Sequence, residues 1–457
     1  MLIKDEILQL LERLRRARLG VPPIGPGQVE YEQTRRVWNA IADRRPAAIV
    51  RARSVADVTR TIAVAAEVGC LLAVRCGGHS FPGFSTCDDG IVLDLAAMKE
   101  IVVDPVARTA HVGGGSLLGD LDRAGSPHGL VTPAGVVSHT GAAGLTLGGG
   151  MGWLSRRLGL TIDSLLEAEV CTADGRVVIA SAQEESELFW GLRGGGGNFG
   201  VVTRFKFRMH ELGSVLVGSW TYPFAQTRTV LRRYAELAAA ARRPLTTAFT
   251  VTAAATRVTA VWSGSTAGAE EAVKPYGTLG VPTLGAVGGM TFLDLQSRSD
   301  EHFAWGRRYY AKGGFLGAIA DDAVEQITAA LEGSPAPDAE IYVLQLGGAI
   351  SDNTDDATAY TGRAARFYWI VEPVWDAAAD DERCIAWGRV AAAGLAAVSA
   401  SGNYVNEQSE VGAEMTRDAY GEHSYRRLAA LKARFDPDNL FRLNQNVVTE
   451  PGAGAQG

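Results

Sequence analysis

The sequence has no long hydrophobic run, no surplus of basic residues and no framework of paired cysteines. No apolar segment approaches the ~20 residues that a membrane-spanning helix needs, and the amino-terminal stretch has no apolar core of a signal peptide. The formal net charge is −7, and both signs are mixed along the chain, which argues against nucleic acid or an anionic membrane as a partner. These absences predict a cytoplasmic protein with neither kind of partner.

Cysteine is scarce and odd in number. Five cysteines spread over 457 residues do not form a disulfide framework, and they fit a reducing compartment. Cys70, Cys76 and Cys87 lie near His79 in the sequence, but this spacing matches no zinc module. The sequence therefore predicts no metal site.

Glycine, in contrast, is abundant and clustered. The chain has 54 glycines among 457 residues, which is well above the usual ~7%. They concentrate around His79 (residues 77–83) and in residues 141–152 and 194–200. Glycine tolerates positive φ and lets the backbone come close to a ligand, and successive N–H groups attract anions. The clusters therefore predict a site for a phosphorylated ligand.

The order of the predicted elements divides the chain in two. Strands at residues 47–50 and 71–74 are joined by a helix that begins after Ser54, a pattern typical of an α/β unit. Beyond residue 211 the glycine clusters stop, and strands alternate with alanine-rich helices. We expect this second part to form an antiparallel sheet with helices on one side.

Two further segments have clear patterns. Residues 29–44 are predicted to be helical. In residues 201–209, apolar side chains alternate with Arg and Lys, which predicts a half-solvated strand at the edge or surface of a sheet.

The stretch Gly195-x-Gly197-x-x-Gly200 has the spacing of the dinucleotide fingerprint. That fingerprint requires a strand before it and a helix after it. Here a helical segment precedes the glycines and a strand follows them, so we do not expect a nicotinamide site of this type. Neither a P-loop, a GxSxG elbow nor an HExxH motif is present.

Several motifs together resemble the FAD-binding module of the vanillyl-alcohol oxidase superfamily, specifically its berberine-bridge-enzyme-like branch. They follow one another along nearly the whole chain: Arg35-x-x-Trp38-Asn39, Arg75-x-Gly77-Gly78-His79-Ser80, Gly129-Leu130-x-Thr132-Pro133-Ala134-Gly135, Gly144-x-Thr146-Leu147-Gly148-Gly149-Gly150, Arg193-Gly194-Gly195-Gly196-Gly197-Asn198-Phe199-Gly200, Asn403-Tyr404-Val405-Asn406 and Asp436-Pro437.

The resemblance implies an α+β fold, the two-domain PCMH-type FAD-binding fold, with the flavin at the domain interface. The domains expected are an FAD-binding domain at residues 1–210 and a substrate-binding domain at residues 211–403. A carboxy-terminal segment, residues 404–457, is expected to return to the FAD-binding domain.

The resemblance also implies a covalent bond between His79 and the 8α-methyl group of FAD. A neutral imidazole is a competent nucleophile for such a bond. Many relatives carry a second link from a cysteine, at a position that falls near Val137 in this sequence. No cysteine lies there, so we expect a single link.

By the same resemblance, the residues expected to contact FAD are Arg75, Cys76, Gly77, Gly78, His79, Ser80, Gly83, Ala134, Gly135, His139, Thr140, Gly141, Gly144, Leu145, Gly149, Gly150, Gly152, Trp153, Gly200, Val201, Val202, Tyr404 and Asn406.

Two of these residues are also predicted to take part in catalysis. Tyr404 is the first choice for the base that takes the substrate proton, and the alternative is that it only supports the flavin. Thr140 would admit O2 beside the flavin, with simple backbone support as the alternative.

Three side chains of the second domain are predicted to contact substrate. Gln345 lies on the same strand face as two apolar residues, and Tyr368 and Glu372 share a face of a later strand by period-two alternation. If these faces line a cavity, the three residues contact substrate. If they pack on helices, they are core or edge polar groups.

The predicted activity is a two-electron oxidation of a small or medium organic substrate (an alcohol, amine, sugar or polyketide), with O2 reoxidising the flavin to give H2O2. One alternative is a tailoring oxygenase of secondary metabolism that uses an oxygenated flavin. The other is a flavin-binding scaffold without turnover.

Overall fold

The computed structural model of the chain describes residues 4–336 and 338–449. Its α-helices are α1 (Lys4–Arg16), α2 (Tyr31–Thr34), α3 (Val55–Val68), α4 (Leu118–Gly125), α5 (Ala142–Gly148), α6 (Ser155–Leu158), α7 (Ser186–Leu192), α8 (Thr227–Ala239), α9 (Ala269–Val273), α10 (Phe292–Ser297), α11 (Asp321–Glu332), α12 (Asp381–Ala396) and α13 (Ala413–Phe435).

The strands are β1 (Ala48–Arg51), β2 (Leu72–Arg75), β3 (Ile91–Asp94), β4 (Ile101–Asp104), β5 (Thr109–Gly113), β6 (Leu130–Val131), β7 (Leu165–Cys171), β8 (Val177–Ser181), β9 (Val201–Arg208), β10 (His210–Glu211), β11 (Val215–Pro223), β12 (Leu245–Thr252), β13 (Ala255–Trp262), β14 (Leu284–Met290), β15 (Arg308–Tyr309), β16 (Lys312–Leu316), β17 (Glu340–Gln345), β18 (Phe367–Glu372) and β19 (Val374–Trp375).

Three small sheets occupy the first half of the chain, one of them the two-stranded sheet β10-β6. A parallel sheet has the order β1-β3-β2, and an antiparallel sheet has the order β4-β5-β9-β7-β8. Helix α3 connects β1 to β2. It begins where the Ser54 hydroxyl accepts the N–H of Asp57, and it ends at Gly69 with φ 69°. The chain leaves the carboxyl end of β2 directly into the loop that carries His79.

The second half of the chain forms one seven-stranded antiparallel sheet, with the order β14-β11-β13-β12-β17-β18-β16. One face packs on α8, α11 and α12 around a core that includes Tyr234, Ile327 and Leu395. The opposite face carries Tyr368 and Ile370 and packs toward the first half of the chain. The fold class predicted from the sequence is confirmed.

The carboxy-terminal helix α13 returns to the first half of the chain. Its residue Leu428 packs with Trp190 of α7 in one apolar cluster. The buried ammonium of Lys432 donates to Asp436 at 2.7 Å and to the carbonyl of Asn198 at 2.9 Å. This segment therefore holds the third glycine stretch, residues 194–200, in place.

One local prediction is wrong, and the structure removes one alternative of another. Residues 29–44 contain only the short helix α2, because their side chains make long-range contacts instead: the Asn39 amide donates to the carbonyls of Phe81 and Tyr309 at 2.8 Å each. Strand β9 alternates buried and exposed residues as predicted, but it lies between β5 and β7 and is not an edge strand. Alternation shows which face of a strand is buried, and it does not show how many neighbours the strand has.

Within residues 4–336 and 338–449, no helix has both the length and the apolar character required to cross a membrane.

Candidate active site

A cavity of about 760 Å³ lies between the two halves of the chain, a size typical of small-molecule and cofactor sites. One wall consists of the loops around His79, residues 135–145 and residues 196–202, and we call it the glycine wall. The other consists of side chains from β11, β12, β13, β17 and β18, and we call it the sheet wall. Residues 404–407 close the cavity between them.

Most of the predicted site residues meet at this cavity. Those that line it are Cys76, Gly77, Gly78, His79, Ser80, Gly135, Thr140, Gly141, Gly144, Leu145, Trp153, Gly200, Val201, Val202, Glu372, Tyr404 and Asn406.

The imidazole of His79 is held in one orientation. Its ring stacks on Trp38 with 4.6 Å between centroids and 15° between planes. Its Nε2 lies 2.6 Å from Nδ1 of His139, so one of these nitrogens donates and the other accepts. The indole of Trp38 is itself stacked on Tyr309 at 3.9 Å and donates to the carbonyl of Phe303 at 2.8 Å.

The His79 ring is neutral at physiological pH. Burial, with a smaller contribution from His139, lowers its pKa to about 3. A neutral imidazole retains a lone pair on one ring nitrogen, which is the form that acts as a nucleophile. The position at the cavity wall and the charge state therefore both fit a site of covalent attachment.

The glycine wall has the room that a cofactor needs. A Cβ atom on Gly144 or Gly197 would meet no protein atom within 4 Å, although both residues line the cavity. The close approach of Gly77 and Gly141 has a different cause, because a Cβ on Gly77 would lie 2.3 Å from the Gly141 nitrogen. Glycine therefore leaves space in the cavity at positions 144 and 197, and it allows two loops to pack together at positions 77 and 141. The wall fits FAD, which would lie along its exposed backbone N–H groups.

Seven residues predicted to contact the cofactor lie behind the wall. They are Arg75, Gly83, Ala134, His139, Gly149, Gly150 and Gly152. The guanidinium of Arg75 is buried in a pair with Asp94 at 2.7 Å. His139 reaches the site only through His79. Direct contact of these seven residues with FAD stays a prediction, since motif position alone does not show which side of a loop faces the ligand.

The backbone at Gly149 and Gly150 lies against two tyrosines, Tyr360 and Tyr404. The hydroxyl of Tyr404 accepts the N–H of Gly150 at 3.0 Å and the amide N–H of Asn406 at 2.8 Å. A Cβ on Gly149 would lie 2.7 Å from the ring of Tyr360. Burial raises the pKa of Tyr404, so its phenol stays protonated. These contacts favour the supporting role for Tyr404 over the role of a base.

The sheet wall carries three carboxyl groups. Glu340 and Glu372 are directly opposite each other on β17 and β18, and Glu407 follows Asn406 in the segment that closes the cavity. Burial raises the pKa of Glu372 well above its ordinary value, and the charges of Glu340 and Glu407 act in the same direction. Burial raises the pKa of Glu407 to about 7, although the Tyr368 hydroxyl partly opposes this effect.

Gln345 is not at the cavity. Its amide donates to the carbonyl of Ala238 at 2.6 Å and accepts from the hydroxyl of Thr247 at 2.9 Å. It therefore lies on the helix-covered face of the large sheet, which corrects the expectation of substrate contact. Tyr368 also lies behind the wall, packed edge-on against Tyr404 with 5.7 Å between ring centroids.

Three residues of the site were missed. Trp38 belongs to one of the family motifs, Arg35-x-x-Trp38-Asn39, but its neighbours in the sequence do not indicate that it stacks on His79. Glu407 directly follows the predicted Asn406, and its acidic character was the available signal. Glu340 becomes part of the site only through its register opposite Glu372, which the sequence does not show.

The chain is similar to known flavoproteins. The "FAD binding domain" family matches residues 46–181, and the "Berberine and berberine like" family matches residues 403–448. An FAD-linked oxidoreductase of Dictyostelium discoideum is 33% identical over 92% of this chain and 93% of its own length. The (R)-6-hydroxynicotine oxidase of Paenarthrobacter nicotinovorans is 30% identical over 93% of this chain and 96% of its own length.

A solved structure has the same architecture. The crystal structure of 6-hydroxy-D-nicotine oxidase from Arthrobacter nicotinovorans matches with a TM-score of 0.88 and 28% identity, over 94% of this chain and 98% of that one. The fold and the extent of these similarities both indicate the same family. The chain belongs to the berberine-bridge-enzyme-like family of FAD-linked oxidoreductases.

Proposed function

We propose that this FAD-linked oxidoreductase is an oxidase whose flavin is bound covalently to His79. When bound, FAD accepts two electrons from a small or medium organic substrate and passes them to O2, which forms H2O2. The observation that carries the proposal is the neutral imidazole of His79, stacked on Trp38 at the wall of a cofactor-sized cavity. Among the relatives, the one named as an oxidase of (R)-6-hydroxynicotine supports the same class of reaction.

The contacts of His79 favour Nδ1 as the attachment atom. Nε2 is engaged with His139 at 2.6 Å, whereas Nδ1 has no hydrogen-bond partner in the described part of the chain. If His139 accepts the Nε2 proton, the lone pair of His79 remains on Nδ1. His139 is then a positioning residue that selects the tautomer and fixes the plane of the ring.

We propose a single covalent link. Of the five cysteines, only Cys76 lines the cavity. Its thiol donates to the carbonyl of Ser116 at 3.3 Å, and burial raises its pKa to about 11. A thiol in that state is a poor nucleophile at neutral pH, and Val137 stands where relatives carry their linking cysteine.

Glu407 is the side chain best suited to take the substrate proton. A general base works best when its pKa is near the working pH, and that of Glu407 is raised to about 7. Tyr404, the base predicted from the sequence, is engaged by two N–H donors, and we now propose it as support for the flavin together with Asn406. Thr140 stays a proposal for the O2 approach, since it lines the cavity.

We also propose the domain boundaries at residues 210 and 403. The last strand of the small sheets in the first half of the chain ends at Glu211, and the large sheet occupies residues 215–372. The ends of the first and last predicted segments, residues 1–3 and 450–457, lie outside the described residues.

The covalent link is tested by denaturing the purified protein in acid. We expect flavin absorbance to stay with the precipitated chain, and to be lost to the supernatant in His79→Ala. His128→Ala is the matched control, since His128 is an exposed histidine that does not line the cavity. Flavin released from the wild-type protein would refute the link.

Use of O2 is tested without a known substrate. The bound flavin is reduced photochemically without air, air is admitted, and reoxidation and peroxide are followed together. Rapid reoxidation with equal peroxide supports an oxidase. Once a substrate is found, transfer of labelled oxygen into the product would favour an oxygenase instead, and reduced flavin that air does not reoxidise would contradict both.

A further inference from the structure

The sheet wall and the adjacent residue Glu407 carry more carboxyl groups than paired cations. The charged and titratable side chains that line the cavity around Glu372 are Arg257, Arg298, His302, Asp338, Glu340 and Glu407. Two of the carboxyl groups have partners: Asp338 pairs with Arg307 at 2.8 Å, and Glu340 lies 3.5 Å from His302. Both arginines on the wall have exposed side chains. Glu372 and Glu407 line the cavity, and neither forms an ion pair with another of the described residues.

Glu372 is the buried group that most needs a partner. The residue is 3% exposed, and its Oε1 makes no hydrogen bond within the described residues. The hydroxyl groups of Tyr342 and Tyr368 also make no hydrogen bond of normal geometry within the described residues. Burial raises the pKa of both phenols, and nearby glutamates raise it further. A buried carboxylate without a partner is costly, and structures retain one mainly where something binds it.

A metal ion does not fit these carboxyl groups. Nowhere in the part of the chain that the structure describes do three histidine, cysteine or acidic side chains converge as metal ligands do. The floor of the cavity is aromatic and aliphatic, with Tyr342 and Ile370 beside Glu372. Such a lining suits the carbon skeleton of an organic ligand better than a hydrated ion.

We propose that the substrate of this enzyme carries a basic nitrogen, and that Glu372 binds it as a cation. The proposal rests on the proposed oxidase function and names its substrate class as organic amines. A bound cation would let the buried Glu372 carboxyl group ionise beside Glu340 and Glu407. A neutral alcohol or sugar would leave Glu372 without a partner for its charged form.

The test titrates the flavin-loaded protein with two probes of equal shape, 3-phenylpropylammonium and 3-phenylpropan-1-ol, and follows the flavin absorbance. We expect the ammonium to bind at least about tenfold more tightly, as a close charge pair in a dry site would give. Equal affinities, or tighter binding of the alcohol, would overturn the proposal.

The variant Glu372→Gln keeps the shape of the side chain and removes its charge. We expect it to weaken ammonium binding by about tenfold or more and to leave alcohol binding within about twofold. Glu236→Gln, which removes one charge from an exposed position on α8, should change neither. If Glu372→Gln weakens both probes equally, Glu372 has only a packing role and the proposal fails.

A third probe, benzyltrimethylammonium, has no proton of its own to lose. Because burial holds the pKa of Glu372 high, a bound cation should displace protons from the carboxyl cluster into the buffer. Calorimetry in buffers of different ionisation enthalpy counts these protons, and we expect release at pH 7 in the wild type and less in Glu372→Gln. Uptake, or no exchange, would count against the proposal.

These outcomes are independent of the oxidase function. Reoxidation of photoreduced enzyme by air requires no substrate, so it can fail while the ammonium still binds. Cation binding can equally fail in an enzyme that forms peroxide normally.

Discussion

The two walls of the cavity are built in different ways. The glycine wall is made of backbone, and it comes from short contiguous stretches around His79, residues 135–145 and residues 196–202. The sheet wall is made of side chains, and it comes from strands that are distant in sequence, such as β13 and β18. In the proposed function, FAD lies against the backbone of the glycine wall and the substrate lies against the side chains of the sheet wall. Cofactor and substrate recognition would then be separated in space.

The largest effect on the reaction rate is expected from Glu407, which lies between the two walls. Glu407→Gln removes the proposed base and should lower kcat by about 10²–10⁴-fold. In the wild type, the rate should rise as the pH rises through about 7, because only the unprotonated carboxylate can accept a proton. The variant should lose this dependence. Steady-state rates at a series of pH values with a substrate found by anaerobic flavin reduction provide the measurement, and an unchanged rate and profile in Glu407→Gln would assign the proton to another group.

Two alanine substitutions distinguish a glycine that packs against protein from a glycine that leaves room for the cofactor. In Gly141→Ala the new Cβ would lie 2.4 Å from the Gly77 nitrogen, and such overpacking typically costs about 1–3 kcal/mol in the free energy of unfolding. In Gly144→Ala the Cβ meets no protein atom within 4 Å, so we expect unchanged or slightly higher stability and less bound FAD. Urea unfolding and flavin content measure the two quantities. The reverse pattern would show that Gly141 faces the cofactor and Gly144 does not.

A smaller effect is expected from the residue behind His79. His139→Ala should slow covalent attachment by about tenfold or more, as loss of a positioned acid–base partner commonly does, since Nε2 of His79 loses its partner at 2.6 Å. Acid-stable flavin is measured over time after FAD is added to flavin-free protein. His128→Ala should attach flavin at the wild-type rate. Equal rates for His139→Ala and the wild type would leave His139 with no role in attachment.

The smallest effect on the cavity should come from Gln345. Gln345→Leu breaks the hydrogen bonds to Thr247 and the carbonyl of Ala238, and leaving these buried groups unpaired should cost about 1–3 kcal/mol of stability. Because the side chain lies on the helix-covered face, KM for any substrate should stay within about twofold of the wild-type value. A large rise in KM with unchanged stability would return Gln345 to the sheet wall.

Much of the glycine wall could be predicted from the sequence. Gly77, Gly78 and His79 follow β2 directly, so a local pattern is enough to place them at the carboxyl edge of the parallel sheet. The same pattern could not separate Gly144, which faces open space, from Gly150, which faces Thr161. Glycine permits a close approach, and the sequence does not say whether a ligand or another side chain makes it.

The sheet wall was much less predictable. Alternation placed Glu372 and Gln345 on defined strand faces, but only one of these faces lines the cavity. Which face is covered by helices depends on how α8 and α11 pack, and that is a long-range property. For the same reason Glu340 was missed, because its contact with the site depends on the pairing of β17 with β18.

By itself, the sequence determined the cofactor class and the order of the two parts of the chain, and it singled out His79 as the proposed attachment residue. These features depend on contiguous motifs, in which each residue constrains its immediate neighbours. Only the tertiary structure decided that His79 is stacked and neutral, that Tyr404 is held by two N–H donors, and that Glu340, Glu372 and Glu407 share one cavity. Burial and charge proximity decide those properties, and both arise only when distant segments pack together.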